Sequence, residues 1–353
     1  MTDIAEIARE RDERLQLIRN SAASLIPRDG GLTRVRQQRF AKQAVDRATW
    51  AQVCSMGWPG LCLAEELGGS GLGMVEYVGL LEELGHGLLP EPLIEAALVA
   101  PLLPAEEREA LLSGELLVLP AGIVFEQKEA PPSLSSGRLT GTVRHVVLGG
   151  AADAWLVACD SGLAIVHRSA EGVEVVEEPT QDGGHIAHLR FHGSPARQID
   201  APPAALDTAA LGCAAYLVGL MDAAFERTRE YLNVRRQFGR QIGGFQALQH
   251  RMVDLKIQVE LARAMVSEAA MAVDAHGSPM ECERLVSTAK VKAAEAAMLV
   301  TRQAIQLHGG IGYTDEADIG LFLRRAMVLL NAHGSVSFHK RRYFRSLESE
   351  GAL

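Results

Sequence analysis

"YLNVRRQFGRQIGGFQALQHRM", residues 231–252, closes one helical pattern, turns, and opens another. Ahead of it Leu217, Leu220, Met221, Ala224 and Phe225 recur at helical intervals, and behind it Leu248, Met252, Leu255 and Val259 do the same. Between the two runs lie Arg235, Arg236 and Arg240, with Phe238 among them and Gly243 and Gly244 after them. Guanidinium groups donate paired, parallel hydrogen bonds that suit phosphate oxygens. Phe238 either packs or covers an aromatic ring. The plainer alternative is a basic turn between two core helices.

A second stretch, "QLHGGIGYT" (306–314), follows an Ala-rich helical pattern over 283–308 that places Val291, Ala294, Met298 and Ile305 on one stripe. Gly309, Gly310 and Gly312 take side chains out of a tight turn, so backbone N–H groups can reach a ligand. Gln306 adds a donor and an acceptor. Glycine also simply stops helices, so this stretch alone decides little.

Working outward, residues 204–353 predict long helices with short connections, an antiparallel bundle. Residues 116–203 change character. "ELLVLPAGIVF", "RLTGTVRHVVLGG", "DAWLVACDSGLAIVHR" and "HIAHLRFHG" are short β-prone runs punctuated by Gly, Pro, Asp and Ser, the spacing of a small sandwich or barrel. Residues 1–115 are helical again; "MVEYVGLLEELGHGLL" sets Val75, Val78, Leu81 and Leu84 at helical intervals, and the prolines of "LPEPL" stop that helix. "LGGSGLG" before it reads as a loop whose glycines serve turns, since no GK[ST] follows to make a phosphate cradle. The expected class is α+β: an N-terminal α-helical domain, a middle β-sandwich or barrel, and a C-terminal four-helix bundle.

The chain has 353 residues, 48% of them hydrophobic and 22% charged, an ordinary globular balance with room for a sizeable core. A net charge of −9 argues against general nucleic-acid binding but not against an anionic ligand held by a local basic cluster. The five cysteines are scattered and form no CxxC pair, so neither a metal site nor a disulfide framework is expected, and a reducing, cytoplasmic setting is. No signal-peptide core and no membrane span is expected.

The two motifs, taken with the helical–β–helical order, resemble the acyl-CoA dehydrogenase family of flavoproteins. The likeness extends through "GWPGLCLAEELGGSGLG" and "EELGHGLLPEP" in the first region and "LTGTVRHVVLGGAADAWLV" in the second. In the third it runs through "YLNVRRQFGRQIGGFQALQH" and "QLHGGIGYTDEADIGLFLRRA". The resemblance implies an assembly-forming fold that uses FAD at a subunit interface, acyl-CoA as substrate and electron-transfer flavoprotein as acceptor. It implies that Arg235, Phe238, Gln246, Gln306, Gly309 and Gly310 hold the ADP half of an FAD belonging to a neighbouring chain.

The family removes the α proton of an acyl-CoA thioester with a carboxylate and passes the β hydrogen to the flavin. One family location for that carboxylate falls, counted from the glycine loop, on His333; the other, counted back from "RRQFG", falls on Ala209, with Ala210 where an Arg is usual. Asp207 and Glu226 fall on other helical positions. Relatives carry a Thr-Glu-Pro segment and a Gly-Ser-Asp where this chain has "AGIVFEQKEAPPSLSSG". Where they carry Trp-Ile-Thr beside the flavin ring, this chain has His145, Val146 and Val147, and a valine donates no hydroxyl hydrogen bond.

Three readings stand. In the first, the chain is the subunit of a heteromeric, α2β2-type acyl-CoA dehydrogenase that completes the FAD site of a catalytic partner subunit, resembling the base-less member of assemblies in bacterial steroid degradation. In the second, it is a self-sufficient homotetramer that uses His333 as its base, imidazole titrating near pH ~6.5. In the third, it is a flavin-free scaffold or acyl-CoA binding protein. The basic run "HKRRYFR" (339–345) is either a CoA phosphate contact or a solvated helix end, and His86 and His308 read as structural.

Overall fold

The structure, a computed structural model, describes residues 4–26, 32–41, 45–126, 129–202 and 205–349. Helices come first: α1 (Ile4–Leu25), α2 (Thr33–Ala41), α3 (Arg47–Ser55), α4 (Met74–His86), α5 (Leu93–Val99) and α6 (Ala105–Ser113). Among the described residues eight strands follow: β1 (Val118–Ala121), β2 (Ser133–Ser135), β3 (Arg138–Val147), β4 (Ala154–Cys159), β5 (Gly162–His167), β6 (Val173–Pro179), β7 (His185–Pro195) and β8 (Arg197–Ile199). The rest is α7 (Leu206–Val234), the two-residue strands β9 (Arg236–Gln237) and β10 (Arg240–Gln241), then α8 (Gln246–Asp274), α9 (Pro279–His308), α10 (Ile319–Leu329) and α11 (Val336–Ser349). The chain folds into two units, one of Met1–Arg34, Met74–Leu89 and Ala210–Leu353, the other of Val35–Gly73 and Pro90–Ala209.

The first unit is helical. Its middle is α9, against which α8, α10 and α11 all pack. Ser278 caps α9 by accepting from the Glu281 N–H at 3.2 Å, Pro279 fills its first turn, and Gly309 ends it. The buried side of α9 keeps Ala294 and Ile305 of the stripe read in the sequence but not its other two residues. Val291 and Met298 are half-exposed, whereas Ala289, Ala293, Ala296, Ala297, Val300 and Ala304 are buried. A helix with neighbours on three sides has no single apolar stripe, and alanine lets those neighbours come close.

Helix α7 is apolar enough and long enough to cross a membrane by composition alone, yet 89% of its most apolar window is buried within the protein, as in a core helix. It crosses α4 backbone to backbone. A Cβ on Gly219 would lie 1.7 Å from the Glu82 carbonyl oxygen, and one on Gly85 would lie 2.0 Å from that of Tyr216. Asp274, at the end of α8, accepts from the Met74 and Val75 N–H groups at 2.6 and 3.0 Å, so its carboxylate caps the N-terminus of α4.

The second unit holds two four-stranded sheets, β1-β4-β5-β8 and β2-β3-β7-β6. All neighbours are antiparallel except β1 and β4. Ala187, Leu189 and Phe191 of β7 alternate inward with period 2, while on β3 Leu139 and Val143 are buried and Val146 is buried again after a register shift. In the 67–73 loop the N–H groups of Gly69, Ser70, Gly71 and Leu72 are spent on Ala64, Gly60, Leu63 and Leu61 carbonyls. Those glycines therefore serve turns, and the N–H groups a phosphate would need are taken.

Candidate cofactor-binding site

Arg235 lies one turn past Tyr231, its N–H bonded to the Tyr231 carbonyl at 2.8 Å as α7 ends. The arginine-rich stretch that follows is not an open turn but a small hairpin. Arg236 pairs with Gln241 and Gln237 with Arg240 across β9 and β10. Phe238 (φ +52°) and Gly239 (φ +79°) form the two-residue turn between them, both left-handed as in a type I′ hairpin. The Ile242 N–H returns to the Arg235 carbonyl at 2.9 Å and closes the loop before α8 begins at Gln246.

Phe238 is 90% exposed at the tip of this hairpin. Arg240 lies over the Phe245 ring, 3.9 Å from its centroid, and the Phe238 ring meets Phe245 edge-on at 6.2 Å. Arg235, Arg236, Arg240 and Gln246 are all exposed. Farther back on α7, Arg227 pairs with Asp318 and Arg229 with Glu226, but among the described residues no carboxylate pairs with Arg235, Arg236 or Arg240. Three guanidinium groups without acids beside an exposed aromatic ring suit a phosphorylated aromatic ligand.

The glycine loop is a 3-10 stretch, Gly309–Tyr313. Its glycines serve two different needs. A Cβ on Gly312 would lie 2.8 Å from the Ile305 carbonyl oxygen, so packing requires that glycine. A Cβ on Gly309 or Gly310 would meet nothing within 4 Å, so there the missing side chain leaves open space over the backbone. Gln306 is exposed next to them. Tyr231 and His308 join the hairpin to this loop. Their rings stack at 4.4 Å, and the Tyr231 hydroxyl donates to the His308 carbonyl at 3.2 Å. His308 is thus part of the scaffold, and burial lowers its pKa.

His333 lies elsewhere in the same unit, in the loop between α10 and α11. Its backbone is left-handed (φ +51°), as is that of Gly334 (φ +96°). Two buried side chains hold this loop by its carbonyls. Lys290 of α9 donates to those of Leu329, Leu330 and Gly334 at 3.5, 3.2 and 3.4 Å. His339 of α11 places Nε2 at 3.0 Å from the His333 carbonyl and Nδ1 at 3.2 Å from Ser287 Oγ. A carbonyl only accepts, so Nε2 carries the proton. A Cβ on Gly334 would lie 2.4 Å from that Nε2.

The basic run 339–345 is solvated along Lys340, Arg341, Tyr343, Phe344 and Arg345 and anchored along its other side. His339 is fully buried, Arg342 pairs with Glu283 at 3.0 Å and Lys340 with Glu295 at 2.6 Å, so this side of α11 is tied to α9. Ala209 and Ala210 are buried on α7.

In the β unit, His145 sits in a bulge where the β3–β7 register shifts between Val143 and Val146, with φ +59° and its ring edge-on to His188 at 5.1 Å. Val147 pairs with Ile186. Of the 121–137 segment, 127 and 128 lie outside the described residues; Ser133–Ser135 form β2 on the edge of the second sheet. The sequence reading missed the hairpin, the Lys290 and His339 supports and the bulge. Only the Phe-Gly pair between two Arg-Gln pairs carried any local signal, and it lacks the Asn-Gly that usually marks such a turn.

Both terminal regions match family models of the acyl-CoA dehydrogenases, the C-terminal domain over residues 200–347 and the N-terminal domain over residues 12–103. Acyl-CoA dehydrogenase IpdE2 of Mycobacterium tuberculosis is 32% identical over 345 residues, covering 96% of this chain and 97% of the relative. Acyl-CoA dehydrogenase FadE27 of the same organism is 30% identical, covering 87% and 89%. Among solved structures, the Tcur3481–Tcur3483 steroid ACAD G363A variant superimposes with a TM-score of 0.85 at 27% identity, over 97% of this chain and 100% of that one. The ChsE4–ChsE5 complex from Mycobacterium tuberculosis gives 0.84 at 28%, over 95% and 97%. The chain belongs to the acyl-CoA dehydrogenase family, whose members use FAD.

Proposed function

We propose that this chain is the cofactor-completing subunit of a heteromeric FAD-dependent acyl-CoA dehydrogenase. It grips the ADP half of an FAD whose flavin ring rests on a catalytic partner subunit in an α2β2 assembly. The observation that carries the reading is a sorting of residues. Arg235, Phe238, Gln246, Gln306, Gly309 and Gly310 are all present and exposed. At the positions expected to serve a flavin ring and a base stand His145, Val147, Ala209 and His333.

Arg235 takes the pyrophosphate, Phe238 covers the adenine, and the open backbone at Gly309 and Gly310, with Gln306, receives the adenosine end; Gln246 opens α8 just past the hairpin. FAD held there would supply the hydride acceptor for the β hydrogen of the acyl thioester. The α proton goes to a carboxylate of the partner, because proton abstraction needs a positioned base and this chain has a carboxylate at neither family location, only Ala209 and His333. The substrate is a bulky, ring-bearing acyl-CoA, a reading supported by the steroid enzyme among the similar structures. Electron-transfer flavoprotein reoxidises the assembly, in a reducing cytoplasm.

A subunit surface is further supported by exposed apolar side chains. Val253, Ile257 and Leu261 follow one another at four-residue intervals along α8, and Val234, Ile311 and Tyr313 flank the cofactor motifs.

The test is the visible spectrum of the chain purified alone and then co-expressed with a catalytic acyl-CoA dehydrogenase subunit. Colourless alone, yellow and active with the partner is the expected result. Yellow and active alone overturns the reading, as does a partnered complex that holds no flavin.

A further inference from the structure

We infer that Tyr231 and His308 act as one positioning pair that sets the arginine hairpin against the glycine loop, so that both ends of an ADP moiety are met at fixed separation. The inference rests on the cofactor-completing reading and names residues that reading does not use.

The two motifs are far apart in sequence and sit on different helices. Tyr231 is on the last turn of α7, four residues before Arg235, and its carbonyl accepts the Arg235 N–H. His308 is the last residue of α9, directly before Gly309. The rings lie nearly parallel, 18° apart, with centroids at 4.4 Å. The Tyr231 hydroxyl donates to the His308 carbonyl at 3.2 Å, and His308 Nδ1 lies 2.8 Å from the Ala304 carbonyl. That carbonyl only accepts, so Nδ1 carries a proton and the imidazole cannot flip without losing a bond.

The contact is placed where it matters. A helix end leaves carbonyls without intrahelical donors, and the chain turns away at Gly309 (φ +68°). His308 also caps the 3-10 stretch that follows, and the phenol adds a donor to its carbonyl from the other motif's helix. Neither residue comes within 4 Å of where a Cβ on Gly310 would lie, so both act there through the backbone they hold.

FAD and FMN distinguish this role from a general structural one, because FMN has the ring and one phosphate but lacks the AMP half. In the partnered complex, dissociation constants for both would be measured for wild type, Tyr231→Phe and Tyr231→Leu, with thermal midpoints alongside. Tyr231→Phe keeps the stack and loses one hydrogen bond, so FAD binding weakens about fivefold. Tyr231→Leu loses both and weakens it by about tenfold or more. FMN binding stays unchanged in each. Equal loss for FAD and FMN, or no loss for FAD, overturns the inference and leaves the proposed function standing. A wild-type complex that binds no FAD overturns the proposed function itself, and the inference with it.

Discussion

Lys290 Nζ lies 3.2 Å from the carbonyl oxygen of Leu330, and among the described residues no carboxylate accompanies it. The ammonium is held by carbonyls at the C-terminus of α10, where the helix dipole also favours a cation. Burial lowers its pKa. Replacing it by methionine removes hydrogen bonds from a charged donor, about 1.5–3 kcal/mol each, but also relieves the burial of a charge, a penalty of several kcal/mol. These nearly cancel globally and do not cancel locally. Lys290→Met is expected to shift the thermal midpoint by under ~4 °C while amide exchange across 330–335 speeds up severalfold. Exchange rates identical to wild type would refute the support role.

His333 is a direct discriminator between a completing subunit and a self-sufficient enzyme. Loss of a general base lowers turnover by about 10²–10⁴-fold. If the base belongs to the partner, His333→Gln in the assembled complex changes kcat by less than about twofold. Steady-state turnover with an acyl-CoA substrate decides the matter.

Phe238 holds a left-handed backbone conformation that costs a non-glycine residue roughly 1–2 kcal/mol, and asparagine tolerates it better. Because the side chain is exposed, little packing is lost on replacement. Phe238→Asn is expected to stabilise the chain by up to about 1 kcal/mol in urea unfolding and to weaken FAD retention by the partnered complex. Such opposed effects would mark the strain as functional. Weakened stability would show that the ring packs after all.

His185 accepts the Gly150 N–H at Nε2 at 2.9 Å. Burial lowers its pKa below 6.5, helped by Arg168 and opposed by Glu177. The unfolded chain therefore takes up this proton first as pH falls. The stability contributed is full above pH 6.5 and is lost as pH falls from there through the folded value. His185→Gln, which cannot titrate, should flatten that part of a stability–pH curve. An unchanged slope would remove His185 as its source.

The helical–β–helical order was legible because each region keeps its own hydrophobic pattern; the arginine cluster, Phe238, Gln306 and the glycine run stood out by residue type, whereas Gln246 entered only through the resemblance. What the sequence hid is non-local. Nothing around Lys290 says that its carbonyl partners lie about forty residues on, and nothing around His339 says that it reaches back to His333. The alanines of α9 hide a buried face because their packing depends on three neighbours. His145 hides a bulge because the extra residue is counted only against β7.

The crossing of α4 and α7 at Gly85 and Gly219 reaches farther than its own contacts. Arg235 lies beyond the end of α7, about 24 Å along the axis from Gly219 at 1.5 Å per residue. The helix works there as a lever with its fulcrum at the glycines, and a tilt of one degree displaces the guanidinium end by about 0.4 Å over that span. A methyl group added at residue 219 would thus be felt mainly at the far tip, as a misaimed arginine.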